Sequence, residues 1–274
     1  MNVLILAAAL KVLTIGNSFS VQMVSAMPPV ARDMGLELDI CSLYIGGCTL
    51  ERHWKNVCNP TNKPYKVTRN TLGTAAKACK GNIPDMLKAD TWDVVTIQQA
   101  SHFSWQPDTF RPFADNLVKT IRELAPQAQI VVQETWSYTP WDGRLRTWGI
   151  DQNEMYAKLH AAYGDYAAAN GFMMIPVGTA VQNYRKDLPV KYTENSFGGD
   201  PCGSAKFEQG KDGKWVPKGD FSHLNREGQY LQALTWAATL FGVDAAQCPY
   251  RPDFLAADRA EKMKAAAMKA AKGN

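Results

Sequence analysis

The stretch KVLTIGNSFS at residues 11–20 joins a predicted strand directly to a predicted helix. Val12–Ile15 is a short apolar run with β-branched residues, which is typical of a buried strand. The following stretch, up to about Gly35, has the spacing of an amphipathic helix. Ser18 therefore lies where a helix amino terminus offers unpaired N–H groups and a partial positive charge. This position suits a catalytic nucleophile, and it equally suits a helix N-cap, for which serine is preferred.

The composition is that of an ordinary globular protein. The chain has 274 residues, of which 46% are hydrophobic, and this length is enough for one large α/β domain. The net charge of +4 comes without a basic stripe interleaved with aromatic residues, so we expect no nucleic-acid partner. The most basic stretch, Arg251–Asn274, alternates lysines with alanines and predicts a solvated helix.

Strand and helix signals alternate along the chain. After the first strand, further buried strands are predicted at Leu36–Ile45, Asp93–Ile97, Gln129–Gln133 and Phe172–Pro176. Helices are predicted to begin at Leu50 and to cover Ile83–Ala89, Thr109–Ala125, Asp151–Asn170 and Leu224–Phe241. This alternation predicts an α/β fold, a three-layer α/β/α sandwich with a central, mostly parallel five-stranded sheet.

Two stretches interrupt the alternation and predict insertions in a single domain that covers residues 11–274. Residues 57–82 mix Asn, Pro, Gly and Lys with no clean period, and residues 184–219 are rich in Gly, Lys and Asn. A loop as long as residues 184–219 inside a domain is usually functional or disordered.

The start of the chain and its cysteines favour an exported protein. Residues 1–10, MNVLILAAAL, resemble the back half of a secretion signal whose basic start is missing. They are too short to span a bilayer, so we expect no stable membrane insertion. The six cysteines permit up to three disulfides, with Cys58–Cys79 and Cys202–Cys248 as candidate pairs. We expect no metal site, because the possible ligands do not have the usual zinc spacing; they are Cys41, Cys48, His53 and Cys58.

Residues suited to acyl transfer follow the predicted strands, where sites form in parallel sheets. Gly46 and Gly47 follow the second strand, and glycine there lets a backbone N–H approach a ligand, although a plain tight turn is the alternative. Gln98 and Gln99 follow the third strand, where their amides can donate to an oxyanion or be solvated. Asp220-Phe221-Ser222-His223 precedes the last predicted helix, where the carboxylate can orient the imidazole or cap the helix.

In this order, these motifs resemble the sequence blocks of the SGNH (GDSL-like) hydrolase superfamily. Gly16-Asn17-Ser18-Phe19 resembles the first block, with Asn17 where Asp is usual. Gly47-Cys48-Thr49 resembles the second block, and Asp220 to His223 the fifth. The third block departs from the family's Gly-x-Asn-Asp, because Ala100 stands where asparagine is expected. The glutamines of this block, together with the GNSF and GGCTLERHW stretches, resemble an uncharacterised bacterial branch of the superfamily.

The resemblance covers Lys11 to Phe241 and implies a serine esterase. Ser18 is the expected nucleophile, His223 the general base and acid, and Asp220 the residue that orients His223. The expected oxyanion hole consists of the N–H groups of Ser18 and Gly47 and the side-chain amide of Gln98 or Gln99. No metal or organic cofactor is implied, and the expected location is the periplasm or the exterior of a bacterium.

The expected substrate is a small-molecule or carbohydrate ester that loses an acetyl or aromatic acyl group. Tryptophans in predicted loops suit stacking on a sugar or phenolic ring, and packing beneath the loops is the alternative. The side chains expected to contact substrate are Asn17, His53, His102, Trp136 and Trp141. Two other functions remain open, namely a lipid or thioester hydrolase and a carbohydrate-binding protein that has lost turnover.

Overall fold

Strands and helices alternate along the chain, as the sequence pattern predicts. The structure is a computed structural model that describes residues 9–71, 73–186, 188, 199–204 and 206–273. In chain order, the strands are β1 (Leu10–Gly16), β2 (Leu38–Tyr44), β3 (Tyr65–Thr71), β4 (Thr74–Ala75), β5 (Cys79–Gly81), β6 (Val94–Ile97), β7 (Gln129–Gln133), β8 (Met173–Ile175), β9 (Lys206–Gln209) and β10 (Trp215–Lys218).

The helices lie on the two faces of the main sheet and at its edges. In chain order, they are α1 (Ser18–Val21), α2 (Met27–Asp33), α3 (Leu50–Val57), α4 (Ile83–Lys88), α5 (Phe113–Leu124), α6 (Gly143–Trp148), α7 (Gln152–Asn170), α8 (Val177–Lys186), α9 (Arg226–Phe241) and α10 (Ala257–Lys272). None of the helices within the described ranges is long and apolar enough to cross a membrane.

The five predicted strands form the parallel part of the sheet, which confirms the predicted α/β class. Their spatial order is β2-β1-β6-β7-β8, and every neighbouring pair in this order is parallel. Val12 in the central strand pairs with Ile40 on one side and Val94 on the other, and all three side chains are buried. The carboxyl ends of these strands therefore meet at one edge, where sites of such folds form.

Part of the stretch predicted as an insertion at residues 57–82 extends the sheet instead. β3 pairs antiparallel with β2, and β4 and β5 pair antiparallel with β3. Tyr65 and Val67 are buried while Lys66 between them is exposed, so a period of two is present at the start of β3. The mixed composition around this short alternation concealed it.

The stretch from Ser18 to Gly35, predicted as one helix, is broken into α1, a 3-10 turn at Gln22–Ser25, and α2. Pro28 and Pro29 lie in the first turn of α2. A proline inside a continuous helix would lack an N–H donor and clash with the preceding turn, so the chain restarts its helix here.

The carboxyl-terminal helix is not solvated on every side, which corrects the prediction for Arg251–Asn274. Ala260, Met263 and Ala267 of α10 are buried, and the helix packs on α8 and α9. The apolar residues of α10 recur at helical spacing among many lysines. The basic composition of the stretch therefore concealed its apolar face.

The second predicted insertion, residues 184–219, is structured at both ends. Its first residues belong to α8, and β9 pairs antiparallel with β10 to form a hairpin. Residues 189–198 of this insertion and residues 1–8 of the apolar start lie outside the described residues.

All six cysteines are free thiols, so the two candidate disulfide pairs are wrong. Cys202 is buried, and its thiol donates to the carbonyl oxygen of Ser222 at 3.2 Å. Burial raises the pKa of this thiol well above its usual value, so Cys202 stays protonated and serves as a donor.

Two helical glycines give opposite expectations for substitution by alanine. A Cβ on Gly178 in α8 would lie 2.0 Å from the carbonyl oxygen of Thr135, so we expect Gly178→Ala to lower the free energy of unfolding by about 1–3 kcal/mol. A Cβ on Gly164 in α7 meets nothing within 4 Å, so Gly164→Ala should raise it by about 0.5–1 kcal/mol. Urea unfolding of both variants measures these changes. An unchanged midpoint for Gly178→Ala would contradict the close approach of α8 to the segment that follows β7.

Candidate active site

Ser18 lies at the carboxyl end of the central strand and is the first residue of α1. The turn before it needs glycine, because a Cβ on Gly16 would lie 2.5 Å from the hydroxyl oxygen of Ser20. The side chain of Asn17 accepts from the backbone N–H of Phe19 at 3.0 Å and so caps the helix. Asn17 thus takes the capping role that was the alternative for Ser18, and Ser18 itself is half-buried.

The three predicted triad residues meet at this edge of the sheet. The Ser18 Oγ lies 2.7 Å from His223 Nε2, and His223 Nδ1 lies 2.5 Å from Asp220 Oδ2. The other carboxylate oxygen of Asp220 accepts from the backbone N–H groups of Ser222 at 2.8 Å and of His223 at 2.9 Å. The carboxylate therefore fixes both the loop and the ring orientation.

The environment of Asp220 keeps it ionised. Partial burial alone would raise the pKa of this carboxyl, but the N–H groups of His223 and Ser222 and the imidazole outweigh burial and hold the pKa at about 2. An ionised Asp220 favours the imidazole tautomer with its proton on Nδ1. The lone pair of His223 Nε2 then faces the Ser18 hydroxyl, which is the arrangement of a general base and its nucleophile.

Buried side chains hold the loop that carries His223. The indole N–H of Trp136 donates to the carbonyl oxygen of Ser222 at 2.8 Å, beside the Cys202 thiol. The Phe19 ring stacks on Trp136, with centroids 4.2 Å apart, and lies 5.3 Å from the His223 ring. Trp136 is fully buried, so it cannot contact substrate as predicted. It holds the loop of His223 instead.

Two backbone N–H groups near Ser18 remain available for an oxyanion. Within the described part of the chain, no hydrogen bond engages the N–H of Ser18 or that of Gly47. Gly47 is exposed in the turn after β2 and has a φ of +59°, a conformation that favours glycine. Both N–H groups therefore remain candidates for the predicted oxyanion hole.

Gln99 is held inside the protein by all of its polar atoms. Its side-chain oxygen accepts from the backbone N–H of Leu50 at 3.0 Å. Its side-chain nitrogen donates to the carbonyl oxygen of Thr109 at 2.9 Å and to the hydroxyl of Thr109 at 3.0 Å. With both polar atoms of its side chain engaged and 1% exposure, Gln99 is directed into the protein rather than towards an oxyanion.

Gln98 belongs to a buried chain of amides beneath Ser18. Its nitrogen donates to the side-chain oxygen of Asn17 at 2.8 Å, and its oxygen accepts from Gln133 at 2.6 Å. Gln133 in turn accepts from the indole N–H of Trp236 at 3.0 Å. Gln98 is 2% exposed and Asn17 is 1% exposed, so Asn17 acts beneath the site rather than on substrate.

Sequence reasoning missed Gln133, Gln232 and Trp236 as parts of this support. Gln133 is the last residue of β7, and its amide also donates to the carbonyl oxygen of Phe19, as does that of Gln232. A glutamine that ends a buried strand at the site edge was the available signal for Gln133. Gln232 and Trp236 gave none, because they lie within a helix far along the chain.

His53 lies away from the pocket surface. It is fully buried on α3, with Nδ1 2.8 Å from the hydroxyl of Tyr65. Burial lowers the pKa of His53 to about 3, so the ring is neutral. His53 therefore does not contact substrate as predicted, and it packs between α3 and β3 instead.

His102 and Trp141 keep exposed surface and remain predicted substrate contacts. His102 follows β6, and its ring lies 4.5 Å from that of Phe103. Burial and the charge of Arg144 lower the pKa of His102, which favours a neutral ring. Trp141 packs edge-to-face on Phe207 of the β9–β10 hairpin, with centroids 5.4 Å apart.

A cavity of about 760 Å³ opens beside the triad. His223 and Asp220 form part of its wall, and α9 contributes Arg226 and Glu227. Its apolar side chains are Leu224 and Phe254. Most of the side chains around this cavity are polar, unlike those of an acyl-chain groove.

Comparisons with known proteins agree with this fold. Residues 11–200 match the sequence model of DUF4886, a domain of unknown function. A crystal structure of a DUF4886 family protein from Bacteroides uniformis is 28% identical, with a TM-score of 0.79 over 96% of this chain and 94% of that one. A protein from Slackia heliotrinireducens, proposed to be an SGNH hydrolase, is 21% identical, with a TM-score of 0.54 over 85% of this chain and 99% of that one. Among curated proteins, none matches this sequence. The chain therefore belongs to the DUF4886 family, and its fold is that of the SGNH (GDSL-like) hydrolases.

Proposed function

We propose that the protein is a serine hydrolase that cleaves carboxylic esters, with Ser18, His223 and Asp220 as its catalytic triad. The observation that carries the proposal is the continuous chain of contacts from the Ser18 Oγ through both ring nitrogens of His223 to the Asp220 carboxylate, at 2.7 and 2.5 Å. The likeness of the fold to that of an SGNH hydrolase supports the same conclusion.

In this mechanism, Ser18 attacks the ester carbonyl while His223 Nε2 takes the hydroxyl proton. The carbonyl oxygen becomes an oxyanion, and Asp220 stabilises the imidazolium that forms. His223 then returns the proton to the leaving alcohol as the C–O bond breaks, which leaves an acyl group on Ser18. Water, deprotonated by the same imidazole, cleaves this acyl-enzyme and restores the hydroxyl.

The N–H groups of Ser18 and Gly47 are the proposed oxyanion donors. The expected amide of Gln98 is 2% exposed and donates to Asn17, so we assign it to the support beneath Ser18. Removing one such donor costs about 3–4 kcal/mol of transition-state stabilisation in other hydrolases. A third block without asparagine therefore affects the rate more than it affects the type of reaction.

The polar cavity beside His223 supports a carbohydrate ester as the substrate. His223 protonates the leaving alcohol, so the cavity that it lines lies on the alcohol side of the scissile bond. Its wall carries several hydrogen-bonding side chains and the half-exposed Phe254 ring, a combination that suits the hydroxyls and apolar face of a sugar.

Replacing the nucleophile should abolish turnover and leave the fold intact. We expect Ser18→Ala to lower kcat for 4-nitrophenyl acetate by a factor on the order of 10⁶. Ser25→Ala, which removes an exposed serine hydroxyl outside the triad, is the matched control and should hydrolyse the ester normally. Wild-type turnover by Ser18→Ala would remove Ser18 from the mechanism. A wild-type protein that binds acetylated sugars without turnover would instead indicate a binding protein.

Replacing the carboxylate should separate its structural role from its catalytic role. In Asp220→Asn, the amide oxygen can still accept from the backbone N–H groups of Ser222 and His223, so we expect a melting temperature close to that of the wild type. The amide nitrogen would face the Nδ1 proton of His223 and favour the wrong tautomer, which should lower kcat by about 10⁴. Near-normal kcat in this variant would contradict the assigned role of Asp220.

A further inference from the structure

Three carboxylates and two arginines line the cavity beside the triad. Two of its carboxylates are neutralised within the protein, where Asp200 pairs with Arg185 at 3.0 Å and Glu227 pairs with Arg259. Arg259 also donates to the hydroxyl of Tyr184 at 3.0 Å. These side chains are therefore committed to the structure of the wall. The third carboxylate, Asp220, holds the imidazole of the triad.

Arg226 is the exception on this wall. Within the described ranges it makes neither a hydrogen bond nor an ion pair, and its guanidinium lies 4.0 Å from the centroid of the Phe254 ring. Phe254 is itself 43% exposed. Stacking of this kind occupies the flat face of a guanidinium and leaves its N–H edge open, and this edge matches the geometry of a carboxylate.

Apart from its stack on Phe254, Arg226 has no stabilising contact among the described residues. It is the first residue of α9, where the helix dipole disfavours a cation. It is also exposed and has no carboxylate partner among the residues that the structure describes. A role in ligand binding accounts for an arginine at this place better than local stability does.

The distance from Arg226 to the reacting atoms suits a substrate contact. Arg226 follows His223 by three residues, so their Cα atoms are at most about 11 Å apart. Both side chains line the same cavity. A group held by Arg226 therefore belongs to the alcohol part of an ester whose oxygen receives its proton from His223.

We propose that Arg226, stacked on Phe254, binds a carboxylate on the alcohol part of the substrate, as in an acylated uronic acid. This inference rests on the proposed function, because the alcohol side is defined by proton transfer from His223. It assigns the cavity a preference for anionic over neutral leaving alcohols. Phe254 holds the guanidinium in place and offers its own remaining surface to the sugar ring.

Two esters that differ in one charge test this proposal. 3-Carboxyphenyl acetate and its methyl ester share an acyl group, and only the first has an anionic leaving alcohol. We expect Arg226→Ala to lower kcat/KM for the carboxylate ester about tenfold more than for the neutral ester. Arg226→Lys should restore only part of the difference, because lysine lacks the bidentate edge. High salt should reduce the preference of the wild-type protein, since the arginine is exposed.

Arg32→Ala is the matched control, because Arg32 is an exposed arginine on α2 outside this cavity and its loss should leave the ratio of the two esters unchanged. If Arg226→Ala lowers both rates equally, or neither, the carboxylate site is overturned while ester hydrolysis by the wild type upholds the proposed function. If the wild type hydrolyses neither ester, the proposed function fails.

A binding experiment then tests the carboxylate site separately. The wild type and Arg226→Ala are titrated with 3-hydroxybenzoate and with its methyl ester, and binding is followed by NMR. Equal binding of both compounds to both proteins would overturn it.

Discussion

The contact between the Ser18 hydroxyl and the His223 ring joins positions 205 residues apart and depends on the whole sheet. The central strand delivers Ser18 to the carboxyl edge, where Gly16 allows a sharp turn into α1. The loop before α9 delivers His223 to the same edge. The central strand β1 and the helix α9 thus position the two partners of one hydrogen bond. Because both elements pack in the core, the core keeps the geometry of this hydrogen bond rigid.

The support beneath that contact is polar and fully buried, which makes it a demanding part of the structure. Asn17, Gln98 and Gln133 form a chain of amide hydrogen bonds under the nucleophile, and Trp136 fixes the loop of His223 from below. Each partner that is lost would leave a buried polar group unsatisfied. The same constraint explains why Asn17 and Trp136 point into the protein, although both lie next to triad residues and could be mistaken for substrate contacts.

The parallel strands were predictable because their signals are local, and the meeting of Ser18, His223 and Asp220 was predicted from the resemblance of the ordered motifs to the SGNH blocks. Apolar runs end at Ser18 and at Gln98, and an Asp-x-x-His motif stands before a helix. Burial was not predictable for Trp136 and His53, since a tryptophan or histidine beside a strand end looks the same whether it faces solvent or core. The partners of Gln99 come from α3 and from a turn near Thr109, and no spacing along the chain indicates contacts between such distant segments.

The central claim is that the fold activates the hydroxyl of Ser18. Labelling with a serine-reactive fluorophosphonate, followed by mass-spectrometric location of the adduct, tests it without knowledge of the substrate. The account predicts one phosphonylated residue, Ser18, and loss of the adduct in His223→Ala, whose fold should persist. Absence of labelling in the wild type, or an adduct on another serine, would contradict it.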